Sequence, residues 1–163
     1  MKEEDHSRNP QRVIRAAGSQ SLQLLKEIIE TEGWTGEELD ALAHVGRTPL
    51  QQAAWKGKLE SLEYLLDHMG CDINVYSTKK FSYGKTAIFF ALTQSRKEVV
   101  DYLLSRKDIK VAIVNNKGQS VLSLAASHEM PDYILKKIQQ LEDNDEWWNF
   151  RATNSDGFEY GDL

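Results

Sequence analysis

The stretch G46-R-T-P-L-Q-Q-A-A-W-K-G-K-L-E-S-L-E-Y-L-L66 decides the reading of this chain. Thr48 followed by Pro49 is a helix start, with Thr48 in the N-cap position and Pro49 at the first helical turn. The pair Ala53–Ala54 gives that helix a face without bulk, so a second helix can approach closely. Gly57 can take positive φ and stop the helix. A second helix follows, with Leu59, Leu62, Leu65 and Leu66 on one face at helical spacing. "CDINV" then extends outward before the next turn.

The unit recurs. Gly46, Gly84 and Gly118 start copies spaced 38 and 34 residues apart. Two residues after each glycine stands Thr48, Thr86 or Ser120, and four after stands Leu50, Ile88 or Leu122. The small-residue slots hold Ala53–Ala54, Ala91–Leu92 and Ala125–Ala126. The outer-helix slots hold Leu62, Val100 and Ile134. A degenerate copy lies upstream, with Asn9 in the glycine slot, Val13 in the leucine slot and Ala16–Ala17 as the small pair. Terminal units of a stack are commonly atypical, because one of their faces meets solvent.

These residues resemble an ankyrin repeat, whose pattern is G-x-TPLH-x-AA-x-x-G followed by a Leu-Leu helix. The resemblance implies an all-α solenoid of about four stacked helix-turn-helix units over residues 9–141, with repeats near 9–45, 46–83, 84–117 and 118–141. Residues 1–8 read as a charged N-terminal segment, and 142–163 as an acidic, aromatic C-terminal tail, cap or start of a further segment. Three departures matter. The family's histidine is Gln51, Phe89 and Ser123 here, so its turn-bridging hydrogen bonds must be replaced or lost. The helix-ending glycine becomes Ser95 and Glu129. The connection holding "YSTKKFSYG" is longer than the family standard.

Two segments fall outside the repeat. "TEGWTGEELDALAHV", residues 31–45, reads as a short extra helix capped by Thr35 with Glu38 in the capping-box position, and Trp34 as its packing plug. From Glu142 onward there are seven acids and one base, so the net charge of −5 belongs to the tail and the body is nearly neutral. The tail also holds Trp147, Trp148, Phe150, Phe158 and Tyr160, too aromatic for a purely solvated segment. It reads as a cap folded over the last repeat, a linear motif, or the start of a further domain in a longer natural protein.

Composition excludes several classes. No apolar run approaches a membrane span, and the charged N-terminus has no secretory h-region. A single cysteine, Cys71, rules out an internal disulfide and suits an intracellular protein, cytoplasmic or nuclear. Cys71 reads as a buried structural thiol. No catalytic residue, metal ligand set or cofactor motif is found.

Binding is therefore the expected activity. In proteins of this resemblance the variable slots carry recognition: the turn residues and the two residues after the small pair. Here these slots, with the long connection, give Arg47, Trp55, Lys56, Lys79, Lys80, Phe81, Tyr83, Lys85, Gln94, Lys117 and His128 as candidate partner-binding residues. The set is basic and aromatic and contains no acid. Trp55 and Tyr83, read as exposed, are the expected anchors, and the lysines would steer an acidic protein or peptide. His128 also reads as a plain surface histidine. The chain's own tail, a phosphorylated small molecule and single-stranded nucleic acid are the other partners considered. The alternative function is a targeting or regulatory module of a larger enzyme, binding a nucleotide or nucleic acid.

Overall fold

The computed structural model describes residues 8–149. Helices come in pairs: α1 (Pro10–Ala17) with α2 (Leu22–Glu32), α4 (Pro49–Lys56) with α5 (Leu59–Asp67), α6 (Ala87–Thr93) with α7 (Lys97–Leu104), and α8 (Val121–Ser127) with α9 (Asp132–Glu142). The first helices stack in the order α1, α4, α6, α8 and form an inner row. One core runs the length of the stack, from Val13 to Ile138. Ala16, Ala17, Ala53, Ala54, Ala91 and Ala125 are all buried in it, whereas Ala126 is exposed on the last inner helix.

The helix starts follow the expected chemistry. Asn9, Thr48 and Ser120 each accept a backbone N–H in the first turn of their inner helix. Thr86 makes no such bond, and among the described residues its buried hydroxyl has no partner. The two turns also differ at the family's histidine slot. Gln51 accepts the Thr48 N–H through Oε1 at 3.0 Å, and its Nε2 donates to the carbonyls of Val75 at 3.2 Å and Lys85 at 3.4 Å. The amide thus replaces an imidazole as the bridge between successive turns. Phe89, fully buried at the equivalent slot, has no polar atom to offer, and the bridge is lost there. Ser123 closes a capping box with Ser120, within its own turn.

The inner helices α4, α6 and α8 stop alike, whereas α1 ends at Gly18 with φ of −90°. Gly57, Ser95 and Glu129 have φ of 72°, 53° and 56°. In each case the next N–H returns to the first residue of the small pair: Lys58 to Ala53, Arg96 to Ala91 and Met130 to Ala125. The left-handed stop is therefore kept after the glycine has gone, at the cost of crowding a Cβ against its own backbone.

The segment between the first two repeats is the expected capped helix, α3 (Gly36–Asp40), continued by a 3-10 turn over Ala41–His44. Thr35 and Glu38 form both bonds of its capping box. Trp34 is buried, donates from Nε1 to Glu32 at 2.9 Å and carries the Arg8 guanidinium over its ring at 3.9 Å. The helix docks on the end of α5. A Cβ on Gly36 would lie 2.0 Å from the Met69 carbonyl oxygen, so only glycine permits that approach. Asp40 completes the junction by accepting the Asp72 N–H at 2.8 Å. Burial raises the Asp40 carboxyl to about 6, and burial together with the Asp40 charge pushes the neighbouring Cys71 thiol up. Cys71 is thus the inert structural thiol expected.

After α7 the chain runs through β1 (Ile113–Val114) into the last turn. β2 (Trp148–Asn149) returns from α9 and pairs with β1 in parallel, Ile113 opposite Trp148 and Val114 opposite Asn149. The Lys110 ammonium holds Asp145 at 3.5 Å just before that return. The cap reading of the tail concerns residues that lie, beyond Asn149, outside the described residues.

Two outcomes follow. Replacing Ser95 or Glu129 by glycine should raise stability by about 1 kcal/mol each, the left-handed strain relieved less the added chain entropy of glycine, read as a higher urea midpoint at unchanged slope. Asp40 has a raised folded pKa, so the folded state holds the extra proton. Its contribution is most favourable below the unfolded value near 4 and is lost as pH rises through about 6. Asp40→Asn keeps the acceptor for Asp72 and removes the buried charge. The variant should melt higher than the parent at pH 7.5, with the gap closing at pH 4; an equal gap at both pH values would refute the assignment.

Candidate functional site

The inner-helix face gathers some of the expected residues into a built arrangement. Arg47 leaves the turn, and its Nε donates to Gln52 Oε1 at 2.7 Å. Its guanidinium then lies 4.5 Å above the Trp55 ring and 5.9 Å from the Phe90 ring. Trp55 meets Phe90 edge-on, with ring centroids 6.2 Å apart. Behind it, the Trp55 carbonyl accepts from Arg96 Nε at 3.0 Å, tying α4 to the start of α7. Half-burial pulls the Arg47 pKa below its ordinary value, but a guanidinium stays charged. Trp55 is half-buried, held on two sides and open on a third. A ring held in this way loses little rotamer freedom on binding, which lowers the entropic cost of using it as an anchor.

Phe90 and Gln52 were not among the expected site residues. They occupy the same slot of successive repeats, six residues after Gly84 and Gly46. The signal was there, since a Gln and a Phe at equivalent slots of stacked helices must be neighbours.

Tyr83 corrects an expectation. It is buried, with 7% of its surface exposed, and its ring lies 6.1 Å from that of Tyr76. The long connection doubles back on itself. Ser77 N–H donates to the Lys85 carbonyl at 2.9 Å, and Gly84 N–H donates to the Ser77 carbonyl at 3.0 Å. The 3-10 turn over Lys80–Ser82 inside that closure turns Tyr83 inward and leaves Phe81 outside, 79% exposed. Phe81 is therefore the exposed aromatic of this loop, with the Lys80 ammonium 5.9 Å from its ring.

The basic residues collect at the turn tips. The last turn is fixed to the long connection by Asn116, whose N–H donates to the Tyr83 carbonyl at 3.3 Å and whose Nδ2 donates to the Lys80 carbonyl at 2.9 Å. Burial lowers the Lys85 pKa, and the Lys117 charge nearby lowers it further. Among the described residues no carboxylate pairs with Lys79, Lys80, Lys85 or Lys117, and Lys79, Lys80 and Lys117 are exposed. Lys56 and Gln94 are exposed on the inner-helix face, and His128 is half-buried at the stop of α8. The candidates thus separate into two patches: the Arg47–Trp55–Phe90 stack, and the cationic tips around Phe81. Among the described residues no group of three His, Cys, Asp or Glu side chains could hold a metal ion, and no helix is long and apolar enough to cross a membrane.

The comparisons agree with this architecture. The family model "Ankyrin repeat" matches residues 45–77. ANK repeat-containing protein nipk-1 of Caenorhabditis elegans is 34% identical over 88 residues, which are 53% of this chain and 14% of that protein. Among solved structures, a chain in that of the predatory endopeptidase Bd0816 of Bdellovibrio bacteriovorus in complex with immunity protein Bd3460 superposes with a TM-score of 0.67 at 22% identity, over 82% of this chain and 64% of that one. At that identity the likeness concerns the fold alone. With the capped inner helix, the left-handed stop and the outer helix recurring along one stack, residues 45–77 form an ankyrin repeat by the family's own pattern, set within a stack of like helix pairs.

Proposed function

We propose that this chain is a protein-interaction module that binds an acidic protein or peptide along its inner-helix and turn face. The observation that carries the reading is the Arg47–Trp55–Phe90 stack, an aromatic anchor held ready beside cations that have no carboxylate partner among the described residues. A Trp with an Arg across its face is the residue chemistry concentrated at binding hot spots. Lys56, Lys79, Lys80 and Lys117 would speed encounter with an acidic partner and fix its orientation, contributing less to final affinity. The fold favours this reading, since stacked repeats present an extended surface to a macromolecule.

The test compares wild type, Trp55→Ala and the pair Lys80→Glu with Lys117→Glu as immobilised baits, with circular dichroism as the control for folding. A partner retained by wild type should bind Trp55→Ala about 30-fold more weakly, the effect of losing about 2 kcal/mol at a hot spot. The double charge reversal should chiefly slow association. Equal retention by folded Trp55→Ala would sink the proposed face. A salt dependence steep enough to count several released counterions would point to single-stranded nucleic acid in place of an acidic protein.

A further inference from the structure

We infer that the cationic turn tips are occupied in cis by this chain's own residues 150–163, which an external acidic partner must displace. The inference rests on the reading above that these tips take an acidic ligand, and it names the first such ligand they meet.

Three observations carry it. First, β2 pairs with β1 in parallel, so the chain at Asn149 is heading the same way as Val114, toward the turn that carries Lys117. The Lys110–Asp145 ion pair fixes the start of that return. An antiparallel pairing would have sent the segment away from the tips. Second, Asn116 bonds that turn to Tyr83 and Lys80, so the turn carrying Lys117 is held against the connection that carries Lys80, Phe81 and Lys85. The cations there repel one another, with Lys117 lowering the Lys85 pKa, and no carboxylate among the described residues relieves them. Third, the segment "FRATNSDGFEYGDL" has the complementary chemistry, with Asp156, Glu159 and Asp162 against one base, Arg151, and with Phe158 and Tyr160 placed between the acids. Its 14 residues reach about 45 Å when extended, enough to cross two neighbouring turns.

Occupancy follows from tethering. A short flexible link gives an effective concentration of about 1 mM, so a segment with only about 0.1 mM intrinsic affinity would still hold the tips most of the time. It would also weaken any competing acidic ligand about 10-fold.

The experiment uses the full chain and, as probe, a fluorescein-labelled peptide of residues 154–163. Its anisotropy is followed against wild type, against a variant with Asp156, Glu159 and Asp162 all changed to Lys, and against Lys80→Glu with Lys117→Glu. The tail-reversed chain should bind the peptide about 10-fold more tightly than wild type, and the tip-reversed chain should bind neither tail nor peptide. In parallel, amine labelling read by mass spectrometry should modify Lys80 and Lys117 faster in the tail-reversed chain. Equal peptide affinity and equal labelling in wild type and tail-reversed chain overturn the cis contact while leaving the acidic-ligand surface standing. Absence of peptide binding to the folded tail-reversed chain overturns both.

Discussion

How closely two inner helices can stack is the constraint on which the rest of this protein depends. Helix spacing is set by the side chains at the contact. Here the contact is made by the small pairs Ala16–Ala17 and Ala53–Ala54 and by Ala91 and Ala125, all buried. A bulkier residue at any of these slots would push successive repeats apart along the whole row, because a close-packed interior cannot absorb the volume locally. No single pair of these short helices buries enough apolar surface to stand alone. The stack supplies what each unit lacks, through one core that runs from Val13 to Ile138.

That spacing also positions the turns. With inner helices in register, the turn of one repeat comes within hydrogen-bonding reach of the next, and the chain uses the opportunity unevenly. Gln51 spans two turns with one amide, Asn74 exchanges bonds with Asp108 and Lys110, and Asn116 ties the last turn to the long connection. Where Phe89 stands in the bridging slot, apolar burial takes over and the Thr86 hydroxyl has no partner among the described residues. The same register brings Phe90 of one helix against Trp55 of the other, so the candidate anchor is a by-product of stacking. Binding chemistry and fold stability are therefore shared at this face: Trp55 both holds the α4–α6 contact and offers its remaining surface outward.

The sequence made the repeat legible because each slot asks for a residue type with a local cause. A cap needs a side-chain oxygen, a close contact needs alanine, a left-handed stop favours glycine. Such demands are visible one residue at a time, and even the departures, Ser95 and Glu129, marked the positions where positive φ is retained. The long connection was different. Its "KKFSY" run offered two aromatics, and the reading of Tyr83 as the exposed anchor was wrong because nothing local says which of Phe81 and Tyr83 turns inward. That choice belongs to the hydrogen bonds that close the loop on Ser77 and Lys85, between residues eight apart, and to the 3-10 turn inside them.

By itself, then, the sequence determined the repeat architecture, the helix start at Thr48 and stop at Gly57, the extra capped helix at Thr35 and the uneven charge, because these depend on short-range periodicity and capping. Only the tertiary structure decided which side chains share a surface: Arg47 over Trp55, Phe90 against its edge, Tyr83 buried and Phe81 exposed, and the return of residues 148–149 alongside residues 113–114. The physical reason is separation along the chain. Each of these juxtapositions joins elements of different repeats or depends on how a loop closes, so it exists only once stacking has fixed the distance between one helix and the next.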